Sequence, residues 1–164
     1  IIRAVMGELP VHEVAAIADE KESRYRELIR GKAQAFPGVR PLVRAMKKGG
    51  FRMALGTSAP MANVKAVMAE LGLYDCFDAV VCGEDVSEGK PNPEIYLLAA
   101  ERLGVEPAHC VVFEDSPHGV EAAKRGGMKC VAVANTHPPE TLELADRVVT
   151  SLEEIDLVQL IRWL

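Results

Sequence analysis

Three short segments place residues suited to anion and metal chemistry directly after apolar runs. In Leu55-Gly56-Thr57-Ser58-Ala59-Pro60, a glycine and two hydroxyls precede an expected helix start. A hydroxyl and backbone N–H groups at such a point can hold an anion, although Thr57 or Ser58 also suits an ordinary helix cap. In Gly89-Lys90-Pro91-Asn92-Pro93, prolines stiffen the chain around a lysine. That suits an ammonium held inward to neutralise an anion, against the plainer reading of a solvated surface charge. In Phe113-Glu114-Asp115-Ser116-Pro117, two adjacent carboxylates end an apolar run. Side by side they repel, and a cation between them relieves this. Their oxygens suit Mg²⁺, which a few carboxylates and several waters can hold; Asp115 also suits a helix cap. In chain order these are hydroxyl, lysine and carboxylate pair: anion donor, charge neutraliser and metal seat for phosphoryl transfer.

The elements that must position these groups follow from periodicity. Apolar residues at three- and four-residue steps predict a helix over 11–31, with Lys21 interrupting its apolar stripe, and Pro10 separates it from a helical stretch over 1–8. After the turn Phe36-Pro37-Gly38, helices are expected over 39–48, 60–71, 93–103, 117–125 and 152–164. Strands are expected over 51–55, 79–82, 110–113, 130–134 and 147–149. Short, continuously apolar strands alternating with helices predict an α/β fold, a Rossmann-like parallel sheet covered by helices on both faces. Ligands of such sheets bind at the C-terminal strand ends, where all three segments lie. The division expected is a partial helical cap over 1–35 and an α/β core over 36–164.

The 164 residues carry a net charge of −5, which argues against a nucleic-acid surface. No apolar run is long enough to span a membrane. The four cysteines form no CxxC pair and read as small buried hydrophobes of a reducing cytosol. His118 reads as structural or surface, and His12, His109 and His137 are isolated, with no chemistry assigned to them.

Leu-Gly-Thr-Ser-Ala, Gly-Lys-Pro-Asn-Pro-Glu and Phe-Glu-Asp-Ser-Pro-His-Gly-Val-Glu-Ala-Ala resemble the second, third and fourth signatures of the haloacid dehalogenase superfamily. The chain is most similar to its β-phosphoglucomutase-like branch. The resemblance implies that Thr57 bonds the transferring phosphoryl group beside the Ser58 and Ala59 backbone, and that Lys90 bridges phosphoryl oxygens and nucleophile. It implies Mg²⁺ on Glu114 and Asp115, Asp115 most directly. It makes the N-terminal helices the remains of a cap, with Lys21, four residues before Tyr25, meeting the substrate. The function it implies is a cytoplasmic Mg²⁺-dependent phosphatase of small phosphorylated metabolites such as sugar phosphates. A phosphomutase, or a non-catalytic domain that binds phosphorylated ligands or a partner, is the alternative.

The family's first signature, an Asp-x-Asp whose first aspartate is the nucleophile, occurs nowhere in this sequence. In the family its strand lies between those ending at Thr57 and Glu114. Without it, two strand edges face a gap with unpaired backbone groups, each costing about 1–3 kcal/mol if buried. The expectation is that an upstream segment or a second chain fills that slot, and that this polypeptide alone does not turn over.

Overall fold

The computed structural model describes residues 5–163. Its elements are α1 (Val11–Ile29), α2 (Val39–Lys48), β1 (Ala54–Gly56), α3 (Met61–Leu71), β2 (Ala79–Val81), α4 (Glu94–Leu103), β3 (Val111–Glu114), α5 (Pro117–Arg125), β4 (Lys129–Val133), β5 (Arg147–Val149) and α6 (Leu157–Ile161). Of the stretch expected to be helical over 1–8, residues 5 and 6 are helical and 1–4 lie outside the described residues.

Two elements differ from expectation. The strand expected over 51–55 begins only at Ala54, because Met53 is held across rather than along the ladder. Its N–H donates to the Asp78 carboxylate at 2.8 Å and its carbonyl accepts from the Asp78 N–H at 2.7 Å. The helix expected over 152–164 is cut in two by side chains that cap from within. Ser151 and Glu154 close the single turn Leu152–Glu154. Asp156 then accepts from the Val158 N–H at 2.8 Å and starts α6.

All strand pairs are parallel. β1 pairs with β2, and β3 with β4 and β4 with β5. Among the described residues β1 and β3 do not pair, so the sheet runs as two ladders, β1–β2 and β3–β4–β5. Burial declines toward that break: Cys130 to Val133 of β4 are buried, whereas all three residues of β1 are half-buried.

Strand parity sorts the core into layers. On one face, Val81, Val112, Cys130 and Ala132 join Ile95, Tyr96 and Ala99 of α4 and Val120, Ala122 and Ala123 of α5 in one cluster that spans both ladders. The opposite face carries two separate clusters. Cys82 joins Val43 of α2 and Val64 and Met68 of α3, while Val131, Val133 and Val149 join Leu160 of α6. Helices therefore cover both faces, continuously on one and in two blocks on the other. All four cysteines are free thiols. Burial, followed by the nearby Asp85 carboxylate, pushes the Cys82 thiol up to about 11. Among the described residues no helix is long and apolar enough to cross a membrane.

Candidate active site

The chain leaves β2 through the turn Gly83–Asp85 into the loop that carries Lys90. Side chains as well as prolines hold this loop. Asp85 accepts from the Cys82 N–H at 2.8 Å and pairs with Arg102 of α4 at 2.7 Å. Glu94, in the first turn of α4, accepts from the Ser87 N–H at 3.0 Å and the Glu88 N–H at 2.9 Å. Lys90 is thereby directed inward. Its side chain is 15% exposed, and its ammonium pairs with Glu114, which is 7% exposed.

Glu114 ends β3 in register with Ala132 of β4. It shares the parity of Val112 and so points toward the cluster that contains Tyr96. Both carboxylate oxygens are engaged. Oε1 accepts from Lys90 Nζ and the Tyr96 hydroxyl. Oε2 accepts from the Asp115 N–H at 2.9 Å, the Ser116 N–H at 3.1 Å and the Ser116 hydroxyl at 3.0 Å. Burial pushes the Glu114 carboxyl up. Lys90, the Tyr96 hydroxyl and the Asp115 N–H outweigh that and hold it below the usual glutamate value, so it is an anion at neutral pH.

Asp115, one residue on, turns to the rim. Its Oδ2 accepts from the Thr136 hydroxyl at 2.7 Å, while its carbonyl accepts from the same hydroxyl at 3.1 Å and lies 2.9 Å from His137 Nδ1. No hydrogen bond engages its other carboxylate oxygen among the described residues, which leaves that oxygen open to a hard cation such as Mg²⁺. Glu114 differs from Asp115: five donors surround its carboxylate, Lys90 among them. Among the described residues no group of three His, Cys, Asp or Glu side chains could hold a metal alone.

Thr57 continues the β1 ladder, its N–H donating to the Val81 carbonyl at 3.0 Å. Its hydroxyl oxygen accepts from the Ala59 N–H at 3.1 Å, which leaves the O–H hydrogen free to donate. The Ala59 N–H expected to face outward is therefore already used, and Ser58 is exposed. Thr57 and Ala59 line a cavity of about 460 Å³ together with Lys21 and Tyr25 of α1 and, from its apolar side, Leu55 of β1 and Val67 of α3. Lys21 thus shares a cavity with Thr57, although its side chain is 62% exposed and its ammonium pairs with Glu22.

Periodicity and motif reading missed several residues at the site. Tyr96, Thr136 and His137 hold Glu114 and Asp115 from α4 and from the loop after β4. Asn63, the one buried polar residue among those described, takes Arg26 of α1 at 2.8 Å and Glu22 at 2.5 Å. The available signal was Tyr96: a tyrosine buried at the start of a helix needs a partner for its hydroxyl.

The model of the haloacid dehalogenase-like hydrolase family matches residues 3–127. The fructose-1-phosphate phosphatase YqaB of Escherichia coli is 39% identical over 135 residues, which is 81% of this chain and 68% of the relative. The phosphorylated carbohydrates phosphatase of Thermotoga maritima is 42% identical over 113 residues, 69% of this chain and 50% of the relative. Among solved structures, a β-phosphoglucomutase from Clostridium difficile superposes with a TM-score of 0.86 at 28% identity, covering 94% of this chain and 68% of that one. The chain spans about half the length of the first curated relatives it matches. Its signatures, its parallel α/β architecture and these matches agree: the chain belongs to the haloacid dehalogenase-like hydrolases.

Proposed function

We propose that this chain is the phosphoryl-binding portion of a cytoplasmic, Mg²⁺-dependent phosphatase acting on small phosphorylated metabolites, sugar phosphates foremost. The observation that carries this reading is the part-buried Lys90–Glu114 pair beside an Asp115 carboxylate with one oxygen unengaged among the described residues. An ammonium has three donors and Glu114 takes one, so two remain for phosphoryl oxygens. Thr57, its oxygen already held by the Ala59 N–H, donates its hydrogen to the same group. Mg²⁺ on Asp115 would neutralise charge on the phosphoryl oxygens when bound. The names of the carbohydrate-phosphate relatives support the substrate class. Four unpaired thiols accord with a reducing compartment.

The nucleophilic carboxylate of this reading comes from an extended strand seated between β1 and β3, supplied by an upstream segment or a second chain. Support comes from the break in the sheet: among the described residues β1 and β3 do not pair, and an inserted strand could pair with both. The N-terminal region to about residue 35 serves as part of a cap over the site. A phosphomutase is the second reading, favoured by the cavity that Lys21 shares with Thr57. Hydrolysis of p-nitrophenyl phosphate, with and without Mg²⁺, tests the proposal. Turnover is expected only when a segment carrying Asp-x-Asp is present and Mg²⁺ is added. Comparable turnover by this chain alone would refute it.

A further inference from the structure

We propose that Tyr96 is the positioning residue of Lys90, holding its ammonium through Glu114 on one side and through the face of its own ring on the other. This rests on the reading of Lys90 as a phosphoryl ligand and deepens it.

Three contacts close a triangle. Lys90 Nζ pairs with Glu114 Oε1. The Tyr96 hydroxyl donates to the same oxygen. Lys90 Nζ also stands 4.7 Å from the centroid of the Tyr96 ring, inside the range of about 6 Å over which a ring face attracts a cation. Tyr96 is 7% exposed, and Glu114 is the partner of its hydroxyl. Burial, and after it the Glu114 charge, pushes the Tyr96 phenol well above its usual value, so it stays protonated and keeps donating.

The hydroxyl controls how the lysine meets the carboxylate. A free carboxylate offers an ammonium two oxygens. Here Ser116 and the Asp115 N–H fill Oε2, and Tyr96 fills part of Oε1. Lys90 is left a single acceptor position and cannot fold its remaining donors onto Glu114. Those donors are left for a phosphoryl group. The ring beneath the ammonium fixes the end of a side chain that otherwise has four freely rotating bonds.

The packing around the triangle is specific to it. A Cβ at Gly56 would lie 3.2 Å from Tyr96 Cε1 and 3.3 Å from Cδ1, so the residue just before Thr57 must be small for the ring to sit there. Tyr96 thus lies against the end of β1 with its ring edge, meets the lysine with its face and the carboxylate with its hydroxyl. One side chain sets the relation of Thr57 to Lys90, whose segments follow different strands.

Amine labelling of the intact protein at neutral pH, read lysine by lysine by mass spectrometry, tests this without requiring turnover. Lys90 is expected to label slowly in the parent protein and about tenfold faster in Tyr96→Phe, which keeps the ring and loses a hydrogen bond to a charged group. Tyr96→Leu, losing the ring as well, is expected to label faster still. Lys124 and Lys129, paired elsewhere with Asp146, are expected to keep their rates. An unchanged rate at Lys90, or equal acceleration at every lysine as in a loosened fold, would overturn the proposal. In parallel, p-nitrophenyl phosphate hydrolysis by the form that carries Asp-x-Asp is expected to lose about tenfold in kcat in Tyr96→Phe, with KM little changed. A kcat equal to the parent's would overturn the proposal too. A parent protein without turnover would sink the phosphatase reading alone, and the labelling would still decide the role of Tyr96.

Discussion

Glu114 and Asp115 are neighbours in sequence with the same charge, yet one is buried among donors and the other reaches the rim. Parity explains the split: successive residues at a strand end point to opposite sides, and Glu114 follows Val112 toward Tyr96. The sequence marks the two acids as candidates. Their different surroundings were not legible, because the partners, Tyr96 and Thr136, lie 18 residues before Glu114 and 21 after Asp115. Gly119 reports on the same geometry. A Cβ there would lie only 2.0 Å from the Glu114 carboxyl carbon. Alanine in a helix normally gains roughly 1 kcal/mol over glycine. Gly119→Ala is expected instead to cost about 2–4 kcal/mol, since Glu114 must leave its donors. Urea denaturation checks the sign.

Elements whose order is set by apolar runs were readable, and those set by side-chain caps were not. The alternation of strands and helices from α2 to β5 is visible in the periodicity. The break between the turn Leu152–Glu154 and α6 depends on Ser151 and Asp156 acting as caps, and a continuous apolar pattern conceals such a stop. The amphipathic pattern of α1 also predicts burial, yet α1 has no buried residue. Its attachment to α3 is polar, through Asn63 to Glu22 and Arg26, with the Gly31 N–H donating to Glu70 at 3.0 Å. Asn63→Ala is therefore expected to cost only about 1–2 kcal/mol but to act locally. Hydrogen exchange should accelerate over 11–29 while β4 stays protected. Equal loss of protection in both would contradict polar docking of α1.

The whole molecule is held unevenly across its two faces. The cluster shared by α4 and α5 bridges both ladders, whereas the opposite face has one block over β1–β2 and another over β3–β5. The β3–β5 block has a separate electrostatic anchor. Burial pushes the Asp146 carboxyl up, but Lys124, the Cys130 N–H and Lys129 outweigh it and hold it at about 2. A carboxyl depressed on folding stabilises above its unfolded value, near 3.9. That stability is lost as pH falls through the folded value. Asp146 is thus expected to contribute about 2 kcal/mol at neutral pH, lost mainly between about pH 4 and pH 2. In Asp146→Asn, thermal melts should start lower at pH 7 and fall less steeply across that window. An unchanged acid slope would exclude Asp146 as its source.

Gly38 sits at φ 81°, just before α2, and a Cβ there would lie 2.5 Å from the Glu153 nitrogen and 2.6 Å from the Leu152 carbonyl carbon. Only glycine meets both the left-handed backbone and that proximity. Two positions far apart in sequence but adjacent in the fold are therefore bound to a joint history. Position 38 is free to accept a side chain only in a lineage whose turn at 152–153 has already moved aside, so the two sites should change together or stay fixed together.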